Sequence, residues 1–208
     1  MSPVRRTLFV ISFGASLGLA ASAFAQASAQ ASAQTRVRGV IDMIDAHEMR
    51  VVTGGNEKVT LKLPETVPVS VIAPIAIDAI KPGSFIGTAA VKQPDGTLRA
   101  LEIQVFPEQM RGVGEGHRPW DLGEGSTMTN GTVGDLKVSN GRLLTLTYKG
   151  GEQMVFVPEN APVITYEPGS KTELVRGAHV IVTVTHNADD TLTAARVGVG
   201  KDGLVPPM

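Results

Sequence analysis

Hydrophobic and polar residues alternate with a period of two along much of the chain. The clearest case is 97–106, where Leu101, Ile103 and Val105 fall on one face and Glu102 and Gln104 on the other. That is the pattern of an antiparallel strand buried on one side. Short β-branched runs at 36–44, 48–53, 58–63 and 84–92 predict further strands. The breaks between runs carry turn chemistry. Asp45-Ala46, Gly54-Gly55-Asn56 and Pro94-Asp95-Gly96 predict hairpins. Ala76 to Ile80 has room for one helical turn, and Lys81-Pro82-Gly83 stops it.

The same pattern returns later in the chain. Displaced by 94 residues, the segment 64–105 aligns without a gap on 158–199, and eleven of the 42 paired positions are identical. Pro64-Glu65, Pro68-Val69, Pro74, Gly83, Asp95, Thr97-Leu98, Ala100 and Val105 all meet their own kind. Upstream, Arg38-Gly39-Val40-Ile41 falls on Asn130-Gly131-Thr132-Val133 at a displacement of 92. Copy two places Ala195, Val197 and Val199 inward. A duplicated unit of about 70 residues follows. Three strands, a short helical connection and two strands is the order of an OB-type barrel. The expected fold is therefore all-β, two tandem OB-like five-stranded barrels, with SH3-like barrels or small sandwiches as the alternative. The expected domains are 36–107 and 129–200, joined by a connector at 108–128 and followed by a tail at 201–208. Each unit is near the size at which a core without disulfides is marginal, so the two are expected to bury surface against each other.

The first 35 residues follow different rules. Arg5 and Arg6 precede an apolar run from Leu8 to Leu19, which ends at Ala23-Phe24-Ala25. This reads as a cleaved secretory signal at 1–25, with a low-complexity Ala/Gln/Ser tail at 26–35. The run is too short for a comfortable membrane span. Export predicts a periplasmic or secreted protein with no integral span in its mature part. Without Arg5 and Arg6 the chain has 20 acidic and 17 basic residues, no footprint for nucleic acid. Cysteine is absent, which removes disulfides, thiol catalysis and cysteine-based metal sites.

The run IKPGSFIGTAAVKQPDGTLRALEI and its echo LVRGAHVIVTVTHNADDTLTAARV resemble a secreted bacterial OB-like domain family of unknown function, often found in tandem. The resemblance spans nearly the whole mature chain and implies a secreted protein of tandem OB-like domains. The connector GEGHRPWDLGEGSTMTNGTV also resembles exported proteins labelled metal ABC transporter permease. A permease needs several spans of about 20 apolar residues, and none follows residue 25, so that label does not fit this chain.

Candidate chemistry gathers in the connector. It holds the single Trp of the chain within His117-Arg118-Pro119-Trp120-Asp121. On the structural reading, Trp120 pins the connector between the two barrels while Arg118 and Asp121 close a local ion pair. On the functional reading, His117, Arg118, Trp120 and Asp121 form a binding loop for a small ligand. A transition metal held by His117 and His47 is a further alternative, since Met43, His47 and Met49 cluster about the first hairpin and suit a soft ion. His179 and His186 lie seven apart on one predicted strand, hence on opposite faces. No nucleophile elbow, zinc-protease helix or phosphate loop occurs, so no enzyme activity is expected. The sequence reading is an exported binding or scaffold protein, whose partner is an envelope protein or a small ligand. No cofactor is expected unless a metal-handling accessory function applies.

Overall fold

The computed structural model describes residues 35–138 and 142–207. The expected signal at 1–25 and the tail up to residue 34 lie outside these residues. The architecture is all-β. The strands are β1 (Thr35–Ile44), β2 (Glu48–Thr53), β3 (Lys58–Lys62), β4 (Val69–Pro74), β5 (Phe85–Lys92), β6 (Leu98–Val105), β7 (Gly116–Pro119), β8 (Ser126–Val138), β9 (Arg142–Tyr148), β10 (Gly151–Val157), β11 (Val163–Pro168), β12 (His179–His186) and β13 (Leu192–Gly200). The helical turn expected at 76–80 is a 3₁₀ turn at Ile77–Ala79. Among the described residues, no helix is long and apolar enough to cross a membrane.

The strand ladders run in two circuits. In the first, β1 pairs β2, β2 pairs β3, β3 lies parallel to β13, β13 pairs β12, and β12 returns to β1. In the second, β8, β9 and β10 follow in order, β10 lies parallel to β6, β6 pairs β5, and β5 returns to β8. Each circuit thus takes three strands from one copy of the repeat and the closing hairpin from the other. Neither 36–107 nor 129–200 completes a circuit alone, and the described residues form a single compact unit.

Two strands absent from the sequence reading, β4 and β11, join the circuits. They pair antiparallel with Ile72 opposite Tyr166, flanked by Val71–Glu167 and Ala73–Thr165. Positions 72 and 166 are equivalent under the displacement of 94, and the flanking pairs exchange under it. A pseudo-two-fold axis therefore passes between Ile72 and Tyr166, as at the interface of a symmetric dimer. The other ladders obey it too: Leu192 opposite Leu61 in one circuit answers Leu98 opposite Val155 in the other.

Three cores result. One fills the first circuit with Ile41, Met49, Val51, Leu61, Val182 and Val197 among others. A second fills the other circuit, around Ile86, Ile103, Leu144, Leu146 and Val155. The third lies in the layer around β4 and β11 and contains Ile72, Ala89, Met128, Ile164 and Ile181, with Trp120 and Tyr166 packed on it. Met49 belongs to the first core with no exposed surface, so its sulfur packs rather than faces solvent.

The third core corrects one reading of the alternation. Glu102 and Gln104, expected on a solvent face, are 0% and 3% exposed. A bulge between Ala89 and Ala90 leaves Leu101 opposite no residue and resets the parity of β6. Leu98, Ala100 and Ile103 then face the circuit interior. Leu101 packs on the third core instead. The equivalent bulge between Thr183 and Val184 leaves Ala195 exposed rather than inward.

The exchange has a direct test. Gly123, Glu124 and Gly125 are exposed, so a protease site can be placed there. The two pieces are expected to stay together at the size of the intact chain on native size exclusion, because both circuits contain strands from each. Two separate, folded halves would contradict the exchanged pairing.

Candidate functional site

A cavity of about 370 Å³ opens in the layer between the circuits. Both members of two repeat-related pairs, Arg36/Met128 and Gln104/Gly198, line it, so it straddles the pseudo-two-fold axis. Period-two geometry places these side chains. Val37 enters the first core, which turns its neighbour Arg36 on β1 outward into this layer. On β8, Met128 and Asn130 take the corresponding places and line the wall. Gly87 makes room for them: a Cβ there would come within 2.7 Å of Asn130 Oδ1 and 3.0 Å of the Phe106 ring.

Beside the cavity, Asp121 accepts two hydrogen bonds from Arg38, at 2.9 and 3.3 Å, and lies 3.6 Å from an Arg36 nitrogen. Partial burial works to raise the Asp121 pKa, but the Arg38 hydrogen bond and the charges of Arg38 and Arg36 outweigh it and hold it below the usual range. The Arg36 guanidinium stacks 3.9 Å from the centre of the Trp120 ring, and Arg118 lies 5.4 Å from it. Burial lowers the pKa of both arginines.

Next to these lies a buried polar chain. The Tyr166 hydroxyl donates to Gln104 Oε1 at 2.7 Å, and Gln104 Nε2 donates to Glu102 Oε1 at 2.9 Å. Burial raises the Tyr166 pKa, which keeps the hydroxyl a donor at neutral pH. Desolvation also raises the Glu102 pKa, to about 7, against the opposing pull of Gln104 and Arg38. Among the described residues, four buried side-chain polar atoms have no hydrogen-bond partner: Arg38 Nε, Glu102 Oε2, Trp120 Nε1 and Asn130 Oδ1. All four belong to this cluster. A buried polar atom without a partner is costly.

The sequence candidates divide. Arg118 and Trp120 line the cavity, and Asp121 stands beside it on Arg36 and Arg38. The expected Arg118–Asp121 pair does not form. Arg118 Nη1 donates instead to the Gly114 carbonyl at 2.7 Å. His117 alternates to the other side of β7, where it is exposed, bonds Thr129 Oγ1 at 2.8 Å and stacks on Tyr148. Desolvation, then the charge of Arg118, lowers its pKa. His47 occupies the turn between β1 and β2, where its backbone N–H donates to Asp45. Among the described residues, no three His, Asp or Glu side chains converge as a metal site would require.

Besides Asn130, six residues at the site were not candidates from sequence: Arg36, Arg38, Glu102, Gln104, Tyr166 and Arg196. A signal for them existed in the duplication. Their repeat equivalents are Met128, Asn130, Arg196, Gly198, Ile72 and Glu102, so every one sits where the copies differ in polarity or charge. No family model, curated protein or solved structure matches this chain.

Proposed function

We propose that this is an exported, non-catalytic binding protein of the bacterial envelope that holds a small ligand between two OB-like barrels. The barrel reading draws on the two five-strand circuits, each of which closes a three-strand meander with a hairpin whose second strand runs parallel to the meander's third. The export reading draws on the N-terminal signal pattern. One observation carries the binding reading: an aromatic and arginine-lined cavity at the repeat interface, two of whose lining residues, Trp120 and Asn130, carry buried polar atoms that lack partners. Binding sites combine apolar walls with a few convergent polar groups in this way. Catalysis has less to work with, because among the described residues no hydroxyl that lines the cavity is hydrogen-bonded to a histidine or carboxylate, and that of Tyr166 donates to Gln104.

Trp120 is the only tryptophan and lines the cavity, so its fluorescence reports occupancy. The small-molecule fraction of an envelope extract is expected to shift Trp120 emission in the wild type. It should leave Thr183→Phe unchanged, since Thr183 lines the wall and the larger side chain fills it. A silent wild type would overturn the proposal.

A further inference from the structure

We infer that the cavity selects a small aromatic acid that carries a hydrogen-bond donor, an inference that rests on the binding reading above. Charge is the first ground. Arg36, Arg118 and Arg196 line the cavity, and no carboxylate residue does. Asp121 takes up Arg38 and part of Arg36. The Arg196 guanidinium makes no hydrogen bond or ion pair among the described residues, and the residue remains exposed although its backbone lies in the β12–β13 ladder. A guanidinium in that state is a natural partner for a carboxylate, whose two oxygens match its paired N–H groups.

Shape is the second ground. Trp120, Phe106 and Tyr166 all contribute to the wall, and the last two rings stack with 5.9 Å between centroids. Such walls favour a flat, apolar body. The volume of about 370 Å³ sits near the lower end of ligand pockets, roughly 300–1,000 Å³, which suits one substituted ring rather than a polymer.

Polarity is the third ground, and it is independent of the other two. Asn130 is 4% exposed and lines the cavity. Its Nδ2 donates to the Val113 carbonyl at 2.9 Å, which fixes the amide orientation and leaves Oδ1 without a donor. A ligand hydroxyl or amine supplies that donor. Trp120 Nε1 is the complementary case, a buried donor without an acceptor, which an oxygen of the ligand satisfies.

The test uses two isosteric probes, 4-hydroxybenzoate and 4-hydroxybenzamide, and a cationic one of similar size, 4-hydroxybenzylamine, titrated against Trp120 fluorescence at low salt and neutral pH. The acid is expected to bind at least tenfold more tightly than the amide. Arg196→Ala should weaken the acid about tenfold while leaving the amide unchanged, since a lost charge-assisted contact is of that order. Asn130→Ala should weaken acid and amide alike. Inorganic phosphate at the same ionic strength should not displace the acid. If the amide or the amine binds as well as the acid, the charge selection falls and the binding reading stands. If no probe binds while the envelope extract still shifts Trp120, the aromatic-acid class falls alone. Silence from probes and extract together overturns both.

Discussion

Glu102→Gln is expected to make the protein more stable at pH 8 and nearly unchanged at pH 4. Glu102 has no exposed surface, and desolvation raises its pKa from 4.5 to about 7. Between those values the folded state binds a proton that the unfolded state has released. Wild-type stability contributed by this group is therefore full below about pH 4.5 and lost progressively as pH rises to about 7. A shift of that size corresponds to about 3 kcal/mol above pH 7. Glutamine is neutral throughout and keeps the shape of the protonated acid, so it escapes the loss. The difference between the two proteins isolates Glu102 from groups such as Asp121 and Asp42, whose lowered pKa values remove stability only at more acidic pH. Denaturant melts at pH 4, 6 and 8 measure it. Parallel wild-type and variant curves across that range would show that Glu102 is ionised at little cost.

The second large effect is at Gly39. This residue sits mid-strand in β1, paired with Thr53 on one side and Val180 on the other. A Cβ there would fall on the Val52 carbonyl oxygen and within 2.8 Å of a Val51 methyl. Backbone rather than a flexible side chain blocks it, so β1 and β2 must separate. Gly39→Ala is expected to cost more than about 3 kcal/mol, a fall of roughly 10 °C in Tm for a unit this size. Gly131, its repeat equivalent, meets the Thr147 carbonyl oxygen at 2.7 Å, and its alanine variant should lose stability for the same reason. Gly54 has nothing within 4 Å, so Gly54→Ala should change Tm little. Equal melting of Gly39→Ala and Gly54→Ala would refute the argument.

Much of the strand pattern was legible, and the reasons are local. The run 48–53 coincides with β2, because its alternation and flanking turns are set by residues next to one another. Asp95 and Asp189, identical in the two copies, each accept from the threonine two residues on, which fixes both hairpins without help from elsewhere. β4 and β11 were harder to see. Each is six residues long and ends in proline, and proline argues against a strand interior. The exchange of hairpins was invisible for a deeper reason. Leu98 pairs with Val155 although Leu61, in its own copy, is the equivalent apolar residue. A duplicated pattern satisfies either closure, so nothing in the residues themselves selects between them.

The candidate site was half legible on similar grounds. Trp120 and Arg118 stood out because their segment has no counterpart in the other copy. Arg36, Arg38 and Glu102 lie in runs whose sequence alternates normally, and their polar face resembles any solvated one. Only the packing of the second face around β4 and β11 makes those positions interior.

The circuits also differ in how the chain reaches them. The second uses strands within the continuous stretch 85–157. The first is wrapped around it, since Thr35 finds its partner at Val184. A chain that emerges N-terminus first, as in synthesis, can complete the inner circuit as soon as Val157 has emerged. The outer one has to wait for its final hairpin. Until then β1, β2 and β3 form a meander whose open sides await strands that have not yet arrived, the sort of exposed edge that invites pairing with a neighbour. The order of emergence thus sets the interval over which these edges stand open.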